Sequence, residues 1–225
     1  MKKLAAMLLV ITLGLSIFAP LGVVASRVAA GPVFPDISGH WAEDVIERFY
    51  REDVVSGYPD GTFQPDWNVS RAELARIITG AFGLTEEFAF NYLDVRPDVW
   101  YYGYLRFTSR FIPNNQFGGG TAFAGATPAH RSDVFEALVL IKMHLGDLEI
   151  DMPTLEEIHV QVREDFNDTE FQVGDINYPN VQRLFTYTWL ARSMGIIEGT
   201  PERYLHPAWG VTRAELLVMI DRVRG

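Results

Sequence analysis

Apolar residues recur at helical spacing in several short segments of the chain, separated by loops rich in glycine, proline and aspartate. One such stripe lies within residues 45–49, a second within 74–81 and a third within 134–141. Stripes of this kind predict amphipathic helices that bury one face. The stripe residues are Val45, Ile46, Phe49, Leu74, Ile77, Ile78, Ala81, Val134, Leu138 and Ile141. The pattern therefore predicts an all-α protein.

Three of the predicted helices begin with a capping box, at residues 70–73, 154–157 and 212–215. In this motif a Ser or Thr and a Glu three residues later satisfy backbone N–H groups that the first helical turn leaves unpaired. At the start of the 134–141 stripe, His130 occupies the Ser or Thr position, so we expect a weaker cap there. The box at 154–157 opens a helix that runs to about Asp165.

The chain contains internal repeats. Residues 54–81 align without a gap with residues 196–223, an offset of 142 that pairs Arg71 with Arg213. A second alignment, at an offset of 60, pairs Arg71 with Arg131. Each copy opens with an aromatic residue shortly before an aspartate, and an aromatic residue follows: Asp36 with Trp41, Asp94 with Trp100, and Asp168 with Tyr178. The third copy carries about ten extra residues near 169–178. Repeats of this length are units that bury their faces against one another.

The N-terminus has the pattern of a secretory signal. Lys2 and Lys3 precede an uncharged run over residues 4–24, and small residues follow up to Ala30. We predict a signal peptide at 1–30 that is cleaved. The run is also long enough to remain as an uncleaved anchor.

Composition excludes several functions. The chain has no cysteine, which excludes disulfides and thiolate metal sites, and its formal charge of −10 argues against nonspecific binding to nucleic acid. The five histidines show no ligand spacing, so we predict no metal site and no cofactor. Neither a nucleophile turn nor a phosphate loop is present, and the glutamate pairs at 86–87 and 156–157 are better explained as solvated residues than as a glycosidase pair. We therefore predict no catalytic residue.

The motifs of the first copy resemble the S-layer homology domain family. The opening at residues 34–36, Trp41-Ala42, the loop at 57–65 and the helix start at 70–73 match the family pattern nearly throughout. The third copy keeps Gly199 and residues 212–215 but replaces the loop sequence with Glu202-Arg203-Tyr204-Leu205. The second copy departs furthest, with Gly118-Gly119-Gly120 in its loop and His130 at its helix start.

This resemblance implies three helix-loop-helix repeats in a pseudo-threefold arrangement around a central helical bundle. We place the repeats at 34–84, 92–146 and 166–225, with a spacer helix within 147–165. Members of the family anchor exported proteins non-covalently to cell-wall polysaccharide, often one that bears pyruvate ketals. The expected function is thus an envelope-anchoring module of a secreted protein, without catalysis, without nucleic acid as a partner, and without membrane contact after signal cleavage. Other envelope proteins are possible further partners.

The candidate glycan contacts follow from residue chemistry. An arginine at the first turn of a helix opposes the helix dipole, and three repeats share it, which suggests a carboxylate ligand held by guanidinium and helix N-terminus together. Tryptophan faces suit sugar rings, and aspartates accept from hydroxyls. The predicted glycan-binding residues are Arg71, Arg131, Arg213, Asp36, Asp94, Asp168, Trp41, Trp100, Gly57 and Gly199.

Several alternatives stay open. The arginines could be structural, paired with Asp36 or Glu73; if they bind glycan, we expect Arg71 and Arg213, with their good caps, to matter more than Arg131. We expect Trp67 and Trp209 to be core residues or hydrophobic staples beside the helix caps. The alternative function is a structural envelope protein that acts through self-assembly, and a third is a glycan-cleaving enzyme.

Overall fold

The computed structural model describes residues 32–114, 121–146, 150–168 and 179–225. The predicted signal peptide at 1–30, the loop at Gly118–Gly120 and the extra residues near 169–178, including Tyr178, lie outside the described residues. Residues 147–149 of the predicted spacer also lie outside them. The repeat boundaries stay predictions.

The described residues form seven α-helices and no extended strand, so the all-α prediction is confirmed. A short 3-10 helix at Pro35–Ile37 precedes them. The helices are α1 Glu43–Arg51, α2 Arg71–Phe82, α3 Tyr102–Thr108, α4 Arg131–Leu145, α5 Leu155–Asp165, α6 Pro179–Ser193 and α7 Arg213–Arg224.

The three predicted capping boxes are all present. In α2, Ser70 Oγ accepts from the Glu73 N–H at 3.2 Å, and Glu73 Oε2 accepts from the Ser70 N–H at 2.9 Å. The same reciprocal pair starts α5 and α7. At the start of α4, the His130 side chain makes no cap hydrogen bond. The prediction of a weaker cap at this helix is therefore confirmed.

The first helix of a repeat packs on the second helix of the preceding one. Helix α3 packs on α2, α6 packs on α4, and α1 packs on α7 at the other end of the chain. Two ion pairs join this last pair of helices, Arg48 to Asp221 and Arg224 to Glu52, each at 2.6 Å. The spacer helix α5 packs on α6, and α4 also contacts α7. The succession of helix contacts thus closes on itself.

Backbone hydrogen bonds close a second, smaller ring just before α2, α4 and α7. The Val69 N–H donates to the Val211 carbonyl at 2.8 Å, Val211 donates to Ala129 at 3.0 Å, and Ala129 donates to Val69 at 2.9 Å. All three side chains are buried. These segments place the starts of the three helices beside one another. The pseudo-threefold arrangement of whole repeats around a central bundle stays a prediction.

The predicted stripes form the core, and Phe63 is buried beneath its loop. The expectation that Trp67 and Trp209 are core residues is wrong: their exposed fractions are 66% and 63%. The interior beside the Trp67 segment is already filled by Phe63 and Val69, and the Trp67 carbonyl faces inward to accept from the Arg213 N–H at 2.9 Å. The indole is left on the surface.

Candidate functional site

The three opening aspartates clamp the loops of their repeats. Each carboxylate accepts hydrogen bonds from two successive backbone N–H groups at 2.6–2.9 Å, and the second donor in each case has a left-handed φ of 53–59°. The contacts are Asp36 with Phe63 and Gln64, Asp94 with Phe123 and Ala124, and Asp168 with Leu205 and His206. A left-handed conformation is unfavourable for residues other than glycine. The aspartates therefore stabilise a strained loop.

Arg71 is a buried bridge between the first and second repeats. Its Nε donates to the Phe123 carbonyl at 2.7 Å, its Nη1 to Asp133 Oδ2 at 2.6 Å, and its Nη2 to the Pro113 carbonyl. The side chain is 2% exposed. Each nitrogen of the guanidinium is therefore engaged within the protein.

Arg213 is held in the same way between the third and first repeats. Its Nε donates to the Phe63 carbonyl at 3.0 Å, its Nη1 to Glu73 Oε1 at 3.2 Å, and its Nη2 to the Ser56 carbonyl at 3.0 Å. The ring centroids of Phe63 and Tyr58 lie 4.5 Å and 4.8 Å from its Cζ. Its side chain is 6% exposed.

Arg131 differs from the other two. Its Nε donates to the Leu205 carbonyl and its Nη1 to Glu215 Oε1, both at 2.7 Å. Within the described residues, its Nη2 has no acceptor. Its side chain is 18% exposed, several times more than that of Arg71 or Arg213. Arg131 is therefore the arginine of the three that can offer N–H groups to a ligand.

The helix N-termini themselves are occupied. Arg71, Arg131 and Arg213 donate their backbone N–H groups to carbonyls of a neighbouring repeat at 2.8–2.9 Å, and the residue after each arginine does the same at 2.9–3.0 Å. The expected use of these N–H groups as an anion site is therefore wrong for the first two positions of each helix. An anion would be bound by side chains.

A groove of about 170 Å³ opens at Arg131. Trp41, which is 64% exposed, and Gly199 both line it. Its residues come from all three predicted repeats. The full lining is Trp41, Arg131, Ile196, Ile197, Glu198, Gly199, Glu215, Val218, Met219 and Arg222. The structure thus brings together three of the predicted site residues, namely Trp41, Arg131 and Gly199.

Charged residues that the sequence did not single out complete the groove. Arg222 Nη2 lies 3.5 Å from Glu198 Oε1, and Arg222 Nη1 donates to the Ile196 carbonyl at 3.4 Å. Arg222 aligns with Gly80 of the first repeat, so the repeats do not share an arginine here and the repeat alignment does not identify it. Glu198 precedes Gly199 where Ser56 precedes Gly57 in the first repeat, and this added charge is the feature of the sequence that could have indicated the groove.

The other predicted site residues lie elsewhere. Trp100 is exposed and contacts the edges of Tyr101 and Tyr104. Gly57 packs under an aromatic ring, since a Cβ there would lie 2.3 Å from Phe34 Cε1. Gly199 has a similar neighbour in Phe166, at 2.9 Å, together with a φ of 82°. The contacts that the structure gives both glycines are packing contacts.

Electrostatics around Arg213 reflect burial. Burial is the largest influence on the Glu73 carboxyl and opposes its ionisation, but hydrogen bonds from Ser70 and Tyr58 and the charge of Arg213 together lower its pKa. Burial, together with Glu73, raises the pKa of the Tyr58 phenol. The arrangement keeps Glu73 ionised and Tyr58 neutral, so the phenol donates to the carboxylate at 2.9 Å.

Across the described residues, no group of three or more histidine, aspartate or glutamate side chains could hold a metal ion. No helix in the same ranges is long and apolar enough to span a bilayer.

Residues 33–75 match the S-layer homology domain. The surface-layer 125 kDa protein of Lysinibacillus sphaericus is 35% identical over 108 residues, which are 47% of this chain and 9% of that protein. The S-layer protein of Bacillus licheniformis is 44% identical over 64 residues, 28% of this chain and 7% of that protein. The cellulosome-anchoring protein of Acetivibrio thermocellus is 35% identical over 69 residues, 30% of this chain and 15% of that protein. The chain thus spans a small fraction of the length of these relatives, and its similarity to the S-layer homology domain covers residues 33–75.

Proposed function

We propose that this chain is a cell-envelope anchoring protein that binds a carboxylate-bearing, pyruvylated cell-wall polysaccharide in the Arg131 groove. The observation that carries the proposal is the Arg131 guanidinium, partly exposed, with an Nη2 that lacks an acceptor in the described structure, in a groove shared with the exposed indole of Trp41. Its similarity to surface-layer and cellulosome-anchoring proteins supports the envelope location.

The guanidinium supplies the charge recognition. Nε and Nη1 are fixed by Leu205 and Glu215, so the group is already oriented before a ligand arrives. A carboxylate that accepts from Nη2 forms a charge-assisted hydrogen bond, which contributes about 1.5–3 kcal/mol. Arg222, paired with Glu198 at 3.5 Å, places a second guanidinium on the groove wall. A pyruvate ketal or a uronic acid presents such a carboxylate on a pyranose ring.

The remaining lining residues suit the sugar. The apolar face of Trp41 packs against a pyranose ring, and its indole N–H is available to a hydroxyl. Glu198, exposed at the groove, accepts from further hydroxyls. The predicted residues outside the groove contribute indirectly in this proposal. Asp36, Asp94 and Asp168 hold the loops, and Arg71 and Arg213 join the repeats. In this proposal Arg131 contributes more to glycan binding than Arg71 or Arg213, which is the opposite of the order expected from their helix caps.

The test is co-sedimentation of the protein with cell-wall sacculi before and after acid removal of the non-peptidoglycan polymer. Binding is expected only to the untreated sacculi. Arg131→Ala and Trp41→Ala are each expected to weaken binding about 10- to 100-fold, which corresponds to the loss of one such contact. Arg131→Lys restores part of it, because lysine lacks the planar fork.

Matched controls separate the groove from general surface effects. Trp100→Ala removes a tryptophan of similar exposure outside the groove, and Arg96→Ala removes an exposed arginine that is paired with Asp98. Both variants are expected to bind like the unmodified protein. Equal binding to treated and untreated sacculi, or an unchanged affinity of Arg131→Ala, contradicts the proposal.

A second candidate function is self-assembly within the envelope. It is favoured by Trp67 and Trp209, two large apolar side chains that are mostly exposed outside the groove. In this case the protein assembles without polymer, and Trp67→Ala or Trp209→Ala lowers the sedimentation coefficient of the assemblies. Glycan anchoring makes neither prediction.

A further inference from the structure

We infer that Thr200, at the position where the first repeat carries Tyr58, keeps the Arg131 groove open, so that one chain binds one carboxylated pyranose in that groove. The inference rests on the proposed function. It concerns two residues that neither the repeat motifs nor the comparisons assign to binding, Tyr58 in the first repeat and Thr200 in the third.

The two residues are equivalent in the backbone as well as in the sequence alignment. The Tyr58 N–H donates to the Thr62 carbonyl at 2.8 Å, and the Thr200 N–H donates to the Tyr204 carbonyl at the same distance. The carbonyls of Tyr58 and Thr200 each accept from the N–H three residues later, at 3.0 Å and 2.8 Å. A side chain at either position therefore leaves the same type of turn.

The Tyr58 ring covers Arg213. Its centroid lies 4.8 Å from the guanidinium carbon, and its hydroxyl donates to Glu73, the carboxylate that also accepts from Arg213 Nη1. A ligand carboxylate can reach Arg213 only if the ring moves away. That movement breaks both the hydrogen bond from Tyr58 to Glu73 and the cation–π contact between the ring and Arg213.

Thr200 leaves the equivalent place open. Its hydroxyl accepts from the Tyr204 N–H at 3.1 Å and so points back into its own turn. The second ring over Arg213, Phe63, is also replaced, by Leu205 in the third repeat. With threonine and leucine at these two positions of the third repeat, neither position supplies a ring over Arg131. Its carboxylate partner Glu215 corresponds to Glu73. A tyrosine at position 200 would find equivalent partners, with Glu215 in place of Glu73 and Arg131 in place of Arg213.

Neither Arg213, whose three guanidinium nitrogens each have an acceptor, nor Arg71 offers a second site of this kind. Arg71 is the more deeply buried of the two. Its side chain is 2% exposed, the Phe123 ring lies 5.2 Å from its Cζ, and each of its three guanidinium nitrogens has an acceptor. The difference among the three arginines thus predicts a binding stoichiometry of one.

The experiment is isothermal titration calorimetry with a methyl pyranoside that bears a 4,6-pyruvate ketal; methyl glucuronoside serves as a second probe to tell a ketal carboxylate from a uronic one. The unmodified protein is expected to bind one equivalent. Tyr58→Thr is also expected to bind one equivalent, because the three guanidinium nitrogens of Arg213 keep their acceptors. Thr200→Tyr is expected to lose at least about tenfold in affinity.

Conservative variants separate closure of the groove from disturbance of the fold. Tyr58→Phe keeps the ring without the hydrogen bond to Glu73, and it is expected to bind one equivalent. Thr200→Ala removes the hydroxyl without adding a ring, and it is expected to keep the affinity of the unmodified protein. Failure of the unmodified protein to bind either probe overturns the proposed function. Normal binding by the unmodified protein together with full affinity in Thr200→Tyr overturns the inference alone.

Discussion

Arg71 Nη1 donates to Asp133 Oδ2 at 2.6 Å, which joins the first helical residue of α2 to the third residue of α4. The equivalent pairs are Arg131 with Glu215 and Arg213 with Glu73. Each arginine therefore pairs with the acidic residue of the next repeat's helix start and not with the glutamate of its own. The repeat motif encodes contacts between repeats, which is why a single copy would leave both charges without their partners.

This relationship predicts that Arg71 and Arg213 act on stability. Arg71→Ala and Arg213→Ala each remove one partner of a largely buried pair and leave backbone carbonyls without donors, so each is expected to lower the free energy of unfolding by about 3–5 kcal/mol. Arg131→Ala, at a more exposed site, is expected to lower it by about 1–2 kcal/mol. Chemical denaturation measures all three. A melting curve of Arg71→Ala that coincides with that of the unmodified protein would contradict the prediction.

Gly57 predicts a steric effect. A Cβ at this position lies 2.3 Å from Phe34 Cε1 and 2.8 Å from the Thr62 carbonyl oxygen, so Gly57→Ala is expected to destabilise the protein by about 1–3 kcal/mol. Phe34→Leu in the same chain should recover part of the loss by making room. The control is Gly103→Ala in α3, where a Cβ meets no atom within 4 Å and the helix gains up to about 1 kcal/mol. Thermal unfolding of the four proteins decides the point.

Asp168 predicts a loop effect. Its carboxylate is buried and accepts from the N–H groups of Leu205 and His206 at 2.6 and 2.7 Å. In Asp168→Asn the amide can accept from only one of them, so we expect a loss of about 2–3 kcal/mol in the free energy of unfolding. Asp98→Asn, at an exposed ion pair with Arg96, should change it by less than about 1 kcal/mol. Similar losses in the two variants would show that Asp168 is not a clamp.

Local features were predictable from the sequence. The capping boxes at Ser70 and Thr212 and the buried stripe of α2 depend on residues three or four apart, and these were identified correctly. The partners of the arginines were not, because Arg213 donates to carbonyls 150 and 157 residues away, and no local pattern encodes which carbonyl will be near. The expected burial of Trp67 is wrong for the same reason. Its exposure depends on Phe63 and Val69 having already filled the interior.

The groove shows the same limit. Trp41 and Arg131 were each identified as candidates from residue type, but their meeting in one groove depends on how the repeats contact one another. The expected importance of each arginine for binding rests on how well its helix cap orders the first helical turn. Accessibility depends instead on the residues that lie over each guanidinium, and these belong to a different repeat.

Glu73 predicts how stability depends on pH. Its folded-state pKa is lowered from the ordinary value: burial opposes ionisation, but the hydrogen bonds from Ser70 and Tyr58 and the charge of Arg213 outweigh it. A carboxyl with a lowered pKa contributes stability that is fully present above its unfolded-state pKa and is lost as the pH falls through the folded-state value. We therefore expect the free energy of unfolding to decrease as the pH drops below about 4.5.

Glu73→Gln should be less stable than the unmodified protein at neutral pH, and the difference in the free energy of unfolding should narrow in acid, because the variant has no proton to take up. Glu202→Gln, at an exposed carboxylate, should follow the unmodified protein at every pH. Urea unfolding at a series of pH values measures the three curves, and a constant gap between Glu73→Gln and the unmodified protein would show that Glu73 is not the group responsible.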